Sequence, residues 1–221
     1  MMKKWKEMSA EQKWQYFKDY YLFHVLLAAA VAALALFMLW HFSKPKEDQA
    51  LYVAVMDESL DQSEKKQLQT ECEKLFSSSG DKRAVMIDDS FFPSNYGVEK
   101  LQVYLRNGQI DVIIANEEEF RLLAGYGYMQ DMKEVLGPQR AETYENCFFY
   151  APGYRDSEEV AFEDRESGQG PNEAYGIDIS RSSRYITVGG KLRRPVLGIA
   201  AGAENPMNGA VFLNVLMEQR E

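Results

Sequence analysis

The sequence predicts an α/β protein: one transmembrane helix, then a single outer domain built on a mostly parallel sheet flanked by helices. Three observations predict it. Residues 22–42, LFHVLLAAAVAALALFMLWHF, are apolar from Leu22 to Trp40 apart from His24. Beyond them, the apolar runs LYVAVMD (51–57), RAVMIDDS (83–90) and IDVIIAN (110–116) alternate with stretches of helical periodicity. The third is charge. Of the 25 basic and 34 acidic residues, five and three lie in 1–43, which leaves a formal charge of −11 on 44–221.

At ~1.5 Å rise per residue the apolar run covers roughly 28 Å, close to the thickness of a bilayer core. A core helix of globular protein rarely stays apolar on every face over such a length. Lys3, Lys4, Lys6, Lys13 and Lys18 precede the run, whereas Lys44 and Lys46 after it are offset by Glu47 and Asp48. Orientation follows the Lys/Arg excess, so the N-terminus is expected in the cytoplasm and residues 44–221 outside. The place for a signal-peptidase site reads Leu39-Trp40-His41-Phe42-Ser43, which is bulky, and no lipid-accepting Cys is near. An uncleaved single-pass anchor in the cell membrane is the expectation. Ahead of it, Ser9 and Gln12 have capping-box spacing, and Trp14, Phe17 and Tyr21 recur at helical spacing among lysines. This is expected as an amphipathic interfacial helix. The organisation is then 1–21 cytoplasmic or interfacial segment, 22–42 transmembrane helix, 43–50 linker and 51–221 extracellular α/β domain.

Within the outer domain, 51–57 is nearly continuously apolar, as a strand covered on both faces should be. Asp61 followed by Glu64 starts a helix that reaches about Phe76, with Leu68, Cys72, Leu75 and Phe76 on its core side. Residues 83–90 form a strand ending in carboxylates, and FFPSN turns the chain. A helix from Tyr96 carries Val98, Leu101 and Leu105 on one side and stops at Asn107-Gly108. Residues 110–116 are the third strand, and Asn116 caps EEEFRLLAG, whose glutamates suit a helix N-terminus. Alternation with short turns implies parallel strands joined by right-handed crossovers. Further along, short helices are expected near 131–136 and from Pro138 to Tyr144, and a β-prone stretch at 147–152. An acidic excursion, in outline a hairpin, covers 153–173. Strands follow at 174–180 and 195–202, separated by the turn-rich SRSSRYITVGGKLRR, and Asn205-Pro206 opens a last helix with Val211, Phe212, Val215 and Leu216 inward.

The run DVIIANEEEFRLLAGYGYMQDMKEVLG resembles a stretch of bacterial extracellular solute-binding proteins, where a strand, a helix, an aromatic-Gly turn and a short helix follow one another. PVLGIAAGAENPMNGAVFLNVLME resembles their return strand and the helix after it. The layout also resembles small membrane-anchored proteins of Gram-positive bacteria with a KWQYFKDYY-type pre-helix. The resemblance implies a single periplasmic-binding-protein-like lobe. The interval 137–173 is too short for a second lobe, and the family's lipid-anchored Cys is missing.

Several chemistries are excluded. His24 and His41 are the two histidines, so the outer domain has none. That rules out Ser-His-Asp and Cys-His catalysis and imidazole-held zinc there. No phosphate-cradling glycine motif occurs, and an acidic domain is a poor partner for nucleic acid. Cys72 and Cys147 are expected as two buried thiols, with a disulfide between them as the alternative. No catalytic residue, metal ligand or cofactor is expected. In open α/β sheets ligands bind beyond the carboxyl ends of the strands. Asp57, Asp88, Asp89, Asn116 and Glu117 all follow predicted strands and are the candidate ligand-binding residues, for a cation or an amine-bearing solute; caps and solvated loop ends are the alternative. The expected function is a membrane-tethered binding or protein-interaction module, accessory to a transporter or envelope assembly. Its expected partners are lipid through 22–42, a membrane or envelope protein, and a small solute. A structural subunit of a membrane complex and a carboxylate-dependent surface hydrolase are the alternatives.

Overall fold

In the computed structural model of the chain, which describes residues 10–42, 48–77, 83–155 and 167–218, two units separate, Met1–Lys46 and Glu47–Glu221. The first holds α1 (Ala10–Tyr20) and α2 (Leu22–Phe42). The Ser9 cap and residues 43–47 of the expected linker lie outside the described residues.

The expected span at 22–42 is corrected. The segment is helical, but among the described residues no helix is long and apolar enough to cross a membrane. Side chains of α2 are described from Leu22 to Met38. Its apolar side chains are exposed all round, among them Phe23, Leu26, Leu36 and Phe37. His24 sits one turn into α2 with Nδ1 3.1 Å from the Tyr20 carbonyl oxygen.

In the second unit, strand β1 (Asp48–Met56) is buried from Ala50 to Met56. Its alternate residues supply two cores. Leu51, Val53 and Val55 face one cluster, and Tyr52, Ala54 and Met56 the other, as period-two geometry requires. The chain then runs through α3 (Gln62–Phe76), β2 (Arg83–Phe91), α4 (Gly97–Arg106), β3 (Val112–Asn116) and α5 (Glu117–Gly125). β1 pairs in parallel with both β2 and β3. Leu68 and Cys72 of α3 pack in the first cluster, Leu101 and Leu105 of α4 and Phe120 and Leu123 of α5 in the second. Helices thus cover both faces.

The rest of the sheet departs from the mostly parallel expectation. α6 (Met132–Thr143), bent at Gly137 (φ 70°) before Pro138, leads to β4 (Phe148–Tyr154). After it come β5 (Ser167–Asp178), α7 (Ser183–Thr187), β6 (Pro195–Ile199) and α8 (Pro206–Met217). The strand order is β2-β1-β3-β6-β5-β4, and the β3–β6, β6–β5 and β5–β4 pairs are all antiparallel. The sheet is mixed because β4 returns directly into β5 and β6 enters beside β3 from the opposite end, with no parallel crossover. β4 and β5 are the arms of the expected excursion; its residues 156–166 lie outside those described.

Two smaller expectations also change. Leu75 is exposed, on the outward side of α3, while Phe76 beyond it packs against the first cluster. Asn205 precedes α8 but makes no side-chain cap; its backbone N–H instead donates to Asp111 Oδ1 at 3.0 Å. Asp111, buried beside β3, also accepts from the Tyr52 N–H at 2.8 Å and so ties β1 to the turn before α8. Burial raises its carboxyl against the pull of these donors.

Candidate functional site

The order β2-β1-β3 means that the chain leaves β1 and β3 toward opposite faces of the sheet, α3 to one and α5 to the other. Such a divergence opens a crevice at the carboxyl ends of the two strands. A cleft of about 490 Å³ lies there, lined by Asp57, Asn116, Glu117, Glu118 and the segment Lys191–Arg194.

Each wall has a local reason. Asp57 follows the last residue of β1 with φ 50°, a left-handed conformation that a short polar side chain tolerates better than most. Its N–H donates to the Phe91 carbonyl at 3.0 Å, which holds the turn against β2. Asn116 ends β3 and caps α5, its side chain accepting from the Glu119 N–H at 2.9 Å. That cap places Glu117, Glu118 and Glu119 in the first turn of α5, where the helix dipole favours carboxylates.

The second wall precedes β6. Pro195 pairs with Asn116, so the residues before it lie over the carboxyl end of β3. Arg194, also left-handed (φ 54°), forms an ion pair with Glu117. Farther back, the Lys191 N–H donates to the Glu58 carboxylate, which also accepts from the Tyr185 hydroxyl. Glu58 and Tyr185 are both buried. Burial first, then the adjacent Glu58 carboxylate, push the Tyr185 hydroxyl far above its ordinary range, so it stays a donor. Gly189 (φ 91°) closes on Asp61, and Gly190 lies against the Tyr185 ring where no Cβ would fit. The segment is pinned at both ends, by Glu58 and by Glu117.

Of the five residues predicted from sequence, Asp57, Asn116 and Glu117 share this cleft. Asp88 and Asp89 do not. β2 is the edge strand on the far side of β1. Asp89 pairs with Lys65 of α3 at 2.6 Å and accepts from the Leu60 N–H at 2.8 Å. Asp88 accepts from Lys100 at 2.9 Å and from the Tyr52 hydroxyl at 2.7 Å. Burial alone would raise the Asp88 carboxyl, but donors from Ser90, Lys100 and Tyr52 outweigh it and bring the pKa to about 2. It lines a separate recess of about 420 Å³ near the opposite end of β1, with Gln49, Tyr104 and Asp111.

Glu118, Lys191, Arg193 and Arg194 escaped the sequence reading. The basic GGKLRR run is a usable signal only once β6 is known to lie antiparallel to β3, since that reversal carries its leading end to the rim. Glu119, behind the cleft, has a raised carboxyl through burial and then through the like charges of Asp57 and Glu118.

Chemically the cleft offers charge of both signs and amide groups in a solvent-open setting. Among the described residues no group of three or more His, Cys, Asp or Glu is placed to hold a metal ion. Comparison with protein-family models, with curated proteins and with solved structures finds nothing that matches this chain.

Proposed function

We propose that the α/β unit is a solute-binding or protein-interaction module whose site is the cleft at the carboxyl ends of β1 and β3. The exposed apolar side chains of α2 hold it beside lipid, where a transporter or envelope protein is its natural neighbour. The observation that carries the reading is the convergence of three separate chain segments on one crevice. Two of them reach it through non-glycine residues at positive φ, Asp57 and Arg194. Backbone strain of that kind persists where surrounding structure over-determines it, and binding sites are among the usual places. The position is the one where open α/β sheets take their ligands. β6 and α8, standing in the place of a return strand and its helix, are in keeping with the resemblance to one lobe of a solute-binding protein.

A thermal-shift screen of the full-length chain in mild detergent tests this. The panel is amino acids, sugars, organic acids and polyamines. A solute at ten times its Kd stabilises by about 1.4 kcal/mol, which for a unit of this size raises Tm by roughly 3–6 °C. At least one panel member should do so with the native chain and not with Arg193→Glu. A panel in which nothing moves Tm refutes the solute reading.

A further inference from the structure

The cleft carries more information than its position. It is lined by three carboxylates, Asp57, Glu117 and Glu118, and three cations, Lys191, Arg193 and Arg194. One pair is internally settled: Arg194 binds Glu117, which Arg121 also reaches at 3.2 Å. Among the described residues the other four, Asp57 and Glu118 on one side and Lys191 and Arg193 on the other, form no ion pair.

The backbone that carries them is held in place on both walls. The left-handed turn at Asp57 is fixed by its N–H bond to Phe91. The Lys191–Arg194 segment is anchored at one end by the buried Glu58 and at the other by Glu117. Two negative and two positive side chains line one volume of about 490 Å³ and form no ion pair with each other. A purely anionic solute there gains two cations and meets two like charges, and a purely cationic solute meets the mirror situation. Neither has a net electrostatic reason to stay. A solute bearing both signs at a separation of a few bonds gains on both walls, and a cleft of this size takes an amino acid or a dipeptide.

We infer that the cleft selects small zwitterions, with the amine directed to Asp57 and Glu118 and the carboxylate to Lys191 and Arg193. This rests on the reading of the cleft as a solute site.

Isothermal titration calorimetry on the full-length chain in mild detergent, with defined probes, tests it. The zwitterions are glycine, 4-aminobutyrate and alanylalanine; butyrate and butylamine are the singly charged counterparts. At least one zwitterion should bind about tenfold or more tightly than either counterpart, as expected when two charge-assisted contacts replace one. That advantage should fall about tenfold in Asp57→Asn and in Arg193→Gln, with far-UV circular dichroism unchanged. Asparagine tolerates the left-handed turn, and Arg193 is exposed, so both variants should fold. Equal binding of 4-aminobutyrate, butyrate and butylamine, weakened by the same substitutions, overturns the zwitterion assignment and leaves the cleft a solute site. The assignment falls in the same way if a panel solute lacking one of the charges binds while all three zwitterions fail. Silence from every probe, together with an unmoved Tm across the panel, removes both readings.

Discussion

Replacing Tyr185 with Phe tests the attachment that shapes the second wall of the cleft. The substitution removes one oxygen and leaves the ring that packs on Gly190. Glu58, only 6% exposed, loses one of its two donors and keeps the Lys191 N–H. The Leu192 N–H, 3.3 Å from the Tyr185 oxygen, loses its acceptor. A hydrogen bond to a charged group contributes about 1.5–3 kcal/mol. The partly exposed Leu192 amide recovers water and adds little. The sum is about 2–3 kcal/mol of lost stability. Urea unfolding followed by far-UV circular dichroism measures it, since the three Trp residues are at positions 5, 14 and 40, all outside this unit. The midpoint should drop with m unchanged. Because both residues act on one bond, the Glu58→Gln/Tyr185→Phe double variant should be less destabilised than the sum of the single variants. A loss below about 0.5 kcal/mol, or strict additivity, would mean that Glu58 is satisfied without Tyr185 and that the attachment reasoning fails.

Two further outcomes are expected. The Asp88 carboxyl sits lower in the folded chain than its ordinary value near 3.8, at about 2. Its contribution is therefore complete above pH ~4 and lost as pH falls toward 2; Lys100→Met should flatten the acid limb of stability against pH, and an unchanged limb counts against the Asp88–Lys100 pair. The Cys72 thiol is fully buried, and burial pushes it up to about 12. Under native conditions a disulfide reagent should modify the partly exposed Cys147 and spare Cys72 until denaturant is added; prompt labelling of both refutes the packing of α3 on the sheet.

The first half of the α/β unit was legible because each strand there is buried on both faces and each helix has a cap written locally. Asp61 accepts from the Ser63 and Glu64 N–H groups at 2.9 and 3.0 Å, and Asn116 caps as its position implies. The second half was harder for a physical reason. Whether a strand runs parallel or antiparallel is decided by its partner, and β6 finds its partner, β3, far back along the chain. The same non-locality hid the basic wall. α7 was missed because its cap, Ser182, is recognisable only with its hydroxyl tied to Leu216 of α8 and its acceptor role toward the Tyr185 N–H. Asp88 and Asp89 misled because a carboxylate after a strand looks the same on an edge as at a divergence. The apolar run of α2 is helical, as its composition implies, but among the described residues no helix is long and apolar enough to cross a membrane.

The placement of β6 bears on how the protein is made. This strand, the last of the sheet in chain order, sits between β3 and β5 in the interior of the sheet, and the helix after it reaches back to the first strand, Asn208 donating to the Ala50 carbonyl at 2.8 Å. A nascent chain emerging from the ribosome can pair β1, β2 and β3 early, but the open side of β3 stays unclosed until Pro195–Ile199 has been translated. Until then it presents an unsatisfied apolar edge of the kind that recruits chaperones or neighbouring copies. Premature termination anywhere before Pro195 would leave two half-sheets with nothing to join them.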